Sequence, residues 1–96
     1  MAGPSTYSER REMLYAGHVQ GVGFRYTAQR LARGYSVTGF VRNLSDGRVE
    51  LVVEGESGEV DRFLEDISDR MGHYVRSATG KRSAPTGEFS DFRIRF

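Results

Sequence analysis

"REMLYAGHVQGVGFRYTAQRLARG", residues Arg11 to Gly34, contains the change of hydrophobic period that decides the fold. Its first part, residues 11–19, has apolar side chains on both faces of an extended chain, which is typical of a central strand. From Phe24 onward the apolar side chains recur at i, i+4, i+7 and i+8, which predicts a helix with a left-handed Gly34 at its end. A glycine-rich loop therefore joins the first strand to the first helix.

The rest of the chain continues this alternation of strands and helices. Asp46-Gly47 predicts a tight hairpin turn, and Ser57 and Gly72 are predicted to cap the two ends of a second helix. The alternation of Val49, Leu51 and Val53 points these side chains inward and Glu50 and Glu54 outward. The remaining predicted elements are strands over residues 36–43, 49–55, 74–82 and 89–96, the second helix over 57–71 and a loop over 83–88.

The order β-α-β-β-α-β, with a short additional C-terminal strand, predicts an α+β, ferredoxin-like α/β sandwich. In this fold two helices cover one face of a mostly antiparallel sheet. The length of 96 residues fits one domain, for which we predict a flexible tail over residues 1–10 and a folded domain over 11–96.

Composition excludes several classes of function. The absence of cysteine rules out disulfides, thiolate metal sites and a thiol nucleophile. No leader opens the chain and no apolar run approaches the ~20 residues of a membrane span, so we predict a cytoplasmic protein without membrane contacts. The net charge of +1 argues against nucleic acid as a partner and requires any anion site to be local.

The loop has the composition of an anion site. The first amides of a helix have no partner within the helix and carry a partial positive charge. Gly17, Gly21 and Gly23 allow successive amides to converge, and Arg25 adds a planar fork of donors in the first helical turn. The loop is neither a Walker sequence nor G-x-G-x-x-G, because Tyr26 stands at the third glycine position. An ordinary turn followed by a solvated arginine is the alternative interpretation.

Asn43 lies where the second strand ends. In a right-handed β-α-β unit the first two strands are parallel, so both end at the same sheet edge. Asn43 shares its side of the strand with Val37 and Val41, which predicts that Asn43 and Arg25 both line the mouth of the loop. The alternative is that Asn43 is a turn residue leading into the hairpin.

Other polar candidates fit structural roles better. His18 is expected to point out of the loop, and His73 is expected at the surface. These two histidines lack a nearby carboxylate pattern and do not predict a metal site. Asp46 belongs to the Asp-Gly turn, and Ser45 has no partner base.

The combination of "GHVQGVGFR" (residues 17–25) and "GFVRNLSDGRVELVVEG" (residues 39–55) resembles the acylphosphatase family, as does the ending "PTGEFSDFRIRF" (residues 85–96). The resemblance covers residues 11–96 and implies hydrolysis of acyl phosphates to a carboxylate and inorganic phosphate. It implies that Arg25 binds the phosphoryl group and that Asn43 orients the attacking water. It further implies a reaction that needs no metal or cofactor, with inorganic phosphate as product and competitive inhibitor. Independently of the resemblance, we expect a monomer. The loop that it assigns to the phosphate oxygens comprises Gly17, His18, Val19, Gln20, Gly21, Val22 and Gly23.

Two other classes of function remain open at this level. RNA-binding modules of the same fold share this order of strands and helices. The stretch "TGFVRNL" (residues 38–44) weakly resembles an RNA-contact strand with an aromatic residue, but the third strand has no aromatic residue. A non-catalytic phosphate sensor, or an acylphosphatase-like domain of a larger carbamoyl-transfer enzyme, would keep the loop. Release of phosphate from an acyl phosphate separates the enzyme from the sensor.

Overall fold

A computed structural model of the chain describes residues 7–96. It contains five strands, two α-helices and one 3₁₀ turn. In chain order these are β1 (Ser8–Gly17), α1 (Phe24–Ala32), β2 (Val37–Asn43), β3 (Val49–Glu56), α2 (Ser57–Met71), the 3₁₀ turn (Gly72–Tyr74), β4 (Val75–Ser83) and β5 (Phe92–Arg95).

The strands form one sheet in the order β4-β1-β3-β2-β5. β1 is antiparallel to both of its neighbours, β3 and β4, and β2 is antiparallel to β3. β5 is parallel to β2. β1 and β2 therefore run in the same direction, and the predicted ferredoxin-like α+β fold with a short C-terminal strand is confirmed.

The core lies between the two helices and one face of the sheet. β3 contributes the side chains that were predicted to point inward, all fully buried: Val49, Leu51 and Val53. Phe24 of α1 and Phe63 of α2 pack onto them. Burial of side chains of this size stabilises the fold by about 1.5–3 kcal/mol each, so this layer holds the chain together without disulfides.

The helix ends differ from the predictions made for them. Gly34 and Gly72 do not adopt the left-handed conformation, since neither has a positive φ. Arg33 ends α1 in a right-handed conformation, and Gly72 leads directly into the 3₁₀ turn. Ser57 is the first residue of α2 and Glu56 occupies the capping position, because β3 runs into the helix without an intervening loop.

The strand ends also differ. β1 begins at Ser8, so Ser8–Arg10, which we predicted as tail, pair with β3 opposite Glu56, Gly55 and Glu54. The other tail positions include residues 1–6, which lie outside the described residues. β5 has four residues rather than the eight predicted, because residues 89–91 belong to the loop before it and Phe96 follows its last pair.

Glu54 was predicted to point outward and is instead buried, with 4% of its surface exposed. It does lie on the sheet face opposite the helices, as does the buried Val52. The segment of residues 84–91 crosses this face, where the Phe89 ring packs 5.8 Å from the Phe40 ring between centroids. Alternation along β3 identifies the face correctly but does not indicate that a loop covers it.

Candidate active site

One edge of the sheet brings the predicted site elements together. β1, β2 and β5 end at this edge, and β3 and β4 begin there, as the pairs Gly17–Val75 and Asn43–Val49 show. The loop between β1 and α1, residues 18–23, leaves the sheet at the same edge. The prediction that the first two strands end at the same edge of the sheet is therefore confirmed, with β3 between them.

Buried side chains hold the loop while its backbone curls. Val19 is buried in the core, and Val22 packs against it. Gly21 and Gly23 have φ angles of +78° and +82°, a left-handed conformation that favours glycine. Gly17 has a φ of +131°, and a β-carbon there would also lie 2.5 Å from the Tyr74 carbonyl oxygen, so both the backbone conformation and the close approach of the chain before β4 require glycine.

The loop amides are not all equivalent. The His18 N–H donates to the Tyr74 carbonyl oxygen at 2.9 Å, and the Thr27 N–H donates to the Gly23 carbonyl oxygen at 2.9 Å. Between these two bonds, the amides of residues 19–23 donate to no backbone carbonyl within residues 7–96. Gly17 belongs to β1 and the His18 amide is occupied, so the amides free to bind an anion begin at Val19 rather than at Gly17.

Gln20 ties the loop to the neighbouring hairpin. Its Nε2 donates to the carbonyl oxygens of Leu44 at 2.8 Å and of Arg48 at 3.0 Å. Leu44 directly follows Asn43, so this side chain fixes the loop beside the end of β2. The sequence predicts only a backbone role for Gln20, because nothing in it indicates that the hairpin lies within reach of this side chain.

Asn43 is the last residue of β2 and lies on its helix-covered face, on the same side as the buried Val41. The turn alternative for Asn43 is not favoured, because the turn runs from Leu44 to Arg48, where the Leu44 N–H donates to the Arg48 carbonyl oxygen at 2.8 Å. The Asn43 Oδ1 is buried, and no group within residues 7–96 donates a hydrogen bond to it. A buried acceptor of this kind is rare and calls for an explanation.

Arg25 lies in the first turn of α1 and is half-buried. Its guanidinium carbon lies 5.0 Å from the centre of the Phe96 ring, a distance typical of a cation–π contact. The register of β5 on β2 pairs Arg95 with Arg42, so Phe96 and Asn43 are the next residues along these two parallel strands. The Arg25 guanidinium is thus held at the corner of the sheet where β2 ends.

The other polar residues considered from the sequence lie beside the loop or in the turn between β2 and β3. His18 and His73 are exposed, as predicted, and line a cleft next to the loop. The backbone N–H and then the guanidinium of Arg48 hold the pKa of the Asp46 carboxyl below its ordinary value, and Asp46 caps the hairpin turn. Ser45 is exposed in the same turn.

Residues 7–96 contain neither a cluster of potential metal ligands nor a membrane-spanning helix. No three carboxylate, imidazole or thiol side chains converge into a group that could hold a metal ion. No helix there has the length and apolar character to cross a membrane.

The fold and the loop define a ferredoxin-like α+β protein with free amides and an arginine at the start of its first helix. The family model described as Acylphosphatase matches residues 11–94. The acylphosphatase of Methylococcus capsulatus is 45% identical over 89 residues, which are 90% of this chain and 95% of the relative. That of Methanospirillum hungatei is 46% identical over 89 residues, 91% of this chain and 97% of the relative. The chain belongs to the acylphosphatase family of hydrolases, and the resemblance seen in its sequence is confirmed.

The fold of this chain also matches solved structures of acylphosphatases. The crystal structure of acylphosphatase from Bacillus subtilis matches with a TM-score of 0.83 at 29% identity, covering 92% of this chain and 99% of the other. The fold also occurs within a longer protein: a full-length HypF, crystallised in a phosphate- and nucleotide-bound form, matches with a TM-score of 0.80 at 26% identity, covering 99% of this chain and 13% of that chain.

Proposed function

We propose that this protein hydrolyses acyl phosphates to a carboxylate and inorganic phosphate, by attack of a water molecule on the phosphoryl group. Membership of the acylphosphatase family supports the substrate class. The single observation that carries the mechanism is the buried, unpartnered Oδ1 of Asn43 at the end of β2.

The phosphoryl group binds in the curl of the loop. The free amides from Val19 to Gly23 and the first amides of α1 donate hydrogen bonds to its oxygens, and the partial charge at the helix N-terminus adds to the attraction. Arg25 donates two further hydrogen bonds from its planar guanidinium. These donors stabilise the negative charge on the equatorial oxygens as the reaction proceeds.

Asn43 positions the water. Its Oδ1 accepts a hydrogen bond from the water, which turns a water lone pair towards phosphorus on the side opposite the acyl oxygen. The bond from the water oxygen to phosphorus forms while the bond from phosphorus to the acyl oxygen breaks, and the electron pair of the broken bond leaves with the carboxylate. The proton released by the water passes to an oxygen of the transferred phosphate, because neither motif supplies a base.

This chemistry requires few side chains. A carboxylate with a conjugate-acid pKa of about 4 leaves without protonation, so no general acid is needed. Positioning and charge stabilisation account for most of the acceleration of phosphoryl transfer, and amides with one arginine provide both. We therefore propose a reaction independent of metal ions, in which the product phosphate occupies the same loop and competes with the substrate.

The deciding experiment measures phosphate release from acetyl phosphate in the presence of EDTA. We expect turnover that EDTA does not reduce and that inorganic phosphate inhibits competitively. Binding of phosphate without any turnover would establish the sensor alternative in place of the enzyme. Turnover that EDTA abolishes and Mg²⁺ restores would contradict the metal-independent mechanism.

A further inference from the structure

A second basic site lies next to the loop, on the side away from Asn43. It is an open cleft of about 450 Å³ between the start of the loop and the start of β4. The residues that line it are Gly17, His18, His73, Tyr74, Val75 and Arg76. The hydrogen bond from the His18 N–H to the Tyr74 carbonyl oxygen joins its two walls, and the His73 ring packs 4.0 Å from the Tyr74 ring between centroids.

The basic side chains of this cleft have no acidic partner. Within residues 7–96, no carboxylate forms an ion pair with His18, His73 or Arg76. The far end of the same strand differs: Lys81 lies 3.8 Å from Glu12 and Arg82 lies 3.9 Å from Glu9. The cleft is therefore a local concentration of unpaired donors in a chain whose net charge is only +1.

We propose that this cleft binds a second anionic group, carried on the acyl part of the substrate. The inference rests on the proposed function, and it narrows the substrate class to acyl phosphates with a carboxylate or phosphate on the acyl chain. In the proposed mechanism the acyl oxygen leaves on the side opposite the water that Asn43 holds, so the acyl chain points away from β2 and towards β1 and β4, between which the cleft lies. The Arg76 guanidinium grips two oxygens of the anion, and the two imidazoles each donate an N–H.

The test compares stable phosphonates that differ only at the end of the chain. Calorimetry measures the dissociation constants of propylphosphonate and 3-phosphonopropanoate, in which a carboxylate replaces the terminal methyl group. Butylphosphonate and 4-phosphonobutanoate repeat the comparison with a longer chain. The proteins are the parent, Arg76→Gln, His73→Gln, and Arg33→Gln as the control, since Arg33 is exposed at the far end of α1.

For the parent we expect at least one carboxylate ligand to bind about tenfold more tightly than its methyl counterpart, as expected for a charge-assisted bidentate contact. Arg76→Gln removes most of that preference, His73→Gln reduces it, and Arg33→Gln retains it. For each variant we compare the ratio of the dissociation constants of the methyl and carboxylate ligands. The loss of one positive charge weakens the binding of both phosphonate groups equally, so it does not change this ratio.

Equal affinities for both members of each pair in the parent would overturn the inference, as would a preference that survives Arg76→Gln in a variant with the parent's circular dichroism. Acetyl phosphate turnover, measured on the same preparations, separates this inference from the proposed function. Turnover without a carboxylate preference refutes the cleft alone. A preference that depends on Arg76 without any turnover refutes the enzymatic proposal alone.

Discussion

At the scale of one residue, the buried and unpaired Oδ1 of Asn43 lowers the stability of the folded state at the position where we propose that it orients a water molecule. A buried acceptor without a donor costs about 1–3 kcal/mol relative to a paired one. We expect Asn43→Ala to lower kcat about 100-fold, because the water loses its orientation. The same change should leave the dissociation constant of phosphate within about twofold, since the loop amides and Arg25 remain. It should not lower the melting temperature, because it removes the unpaired Oδ1. Phosphate-release kinetics, calorimetry and thermal unfolding give the three values.

Ser45→Ala is the control for this change, since Ser45 is exposed two residues further along the chain. If Asn43→Ala kept full activity, the water would have to be oriented by another group. If it lost activity together with phosphate affinity, Asn43 would be a binding residue instead.

Arg25 is expected to act on binding and turnover together. Arg25→Ala removes the only side-chain cation that we assign to the phosphoryl group, and arginines in this role contribute about 10³-fold or more to phosphoryl transfer. We therefore expect near-complete loss of kcat/KM for acetyl phosphate and at least a tenfold rise in the inhibition constant of inorganic phosphate. Arg30→Ala is a suitable control on the same helix, because Arg30 is exposed in its last turn. Undiminished phosphate inhibition of the residual activity of Arg25→Ala would exclude the guanidinium from the phosphate site.

Individual residues also mark what the sequence can and cannot predict. The position of Arg25 in the first turn of α1 can be predicted from the strand-to-helix pattern. The position of Asn43 at the same sheet edge can be predicted from the direction of the first two strands. Gln20 does not, because its two hydrogen bonds reach the hairpin 24 and 28 residues away. The occupied His18 amide is likewise invisible until β4 is placed beside β1.

At the scale of elements, the segment of residues 84–91 is held on the sheet by one buried carboxylate. The Glu54 oxygens accept hydrogen bonds from the Thr86 N–H at 3.0 Å, the Gly87 N–H at 3.0 Å and an Arg10 N–H at 2.9 Å. Burial raises the pKa of the Glu54 carboxyl, but these hydrogen bonds lower it by more, so its pKa in the folded protein is below the ordinary value of 4.5. The charged form of Glu54 therefore stabilises the folded state.

Because the pKa of Glu54 is lowered in the folded protein, we expect acid to decrease the stability of the fold. The stabilisation from Glu54 is fully present above the ordinary pKa of 4.5 and is lost as the pH falls through the lower, folded value. We expect Glu54→Gln to lower the free energy of unfolding at pH 7 by about 1–3 kcal/mol, because it weakens charge-assisted hydrogen bonds to buried donors. The difference between the variant and the parent should shrink below pH 4.5. Urea unfolding at a series of pH values measures it.

Glu50→Gln is the matched control, since Glu50 lies on the same face of β3 and pairs with the exposed Arg42. A constant difference between Glu54→Gln and the parent across this pH range would show that the Glu54 charge does not hold the segment. The same segment shows what the alternation of apolar and polar residues along β3 cannot predict. The alternation identifies the two faces of β3, but it does not indicate that residues 84–91 cover one of them.

At the scale of the whole molecule, the order of elements was predictable and their ends were not. Hydrophobic period reports which segments are helix or strand, and the five strands and two α-helices of residues 7–96 occur in the predicted order. Ends depend on partners instead. Ser8–Arg10 are strand because β3 continues far enough to pair with them, and β5 is short because its pairing with β2 begins only at Phe92, opposite Gly39.

Because the proposed phosphate site is built from a loop joined to β1, α1 and the β2–β3 hairpin, its occupancy should stabilise the molecule as a unit. A ligand at 100 times its dissociation constant raises the free energy of unfolding by about 2.7 kcal/mol. For a domain of this size that corresponds to a rise in melting temperature of roughly 10–20 °C. We expect this rise with phosphate in the parent and in Asn43→Ala, and at most about half of it in Arg25→Ala, because a tenfold weaker site lowers the added stability to about 1.4 kcal/mol at the same phosphate concentration. Sodium chloride at matched ionic strength is the control. An equal rise with chloride would assign the effect to screening of the unpaired basic residues, and a full phosphate effect in Arg25→Ala would move the ion's site away from α1.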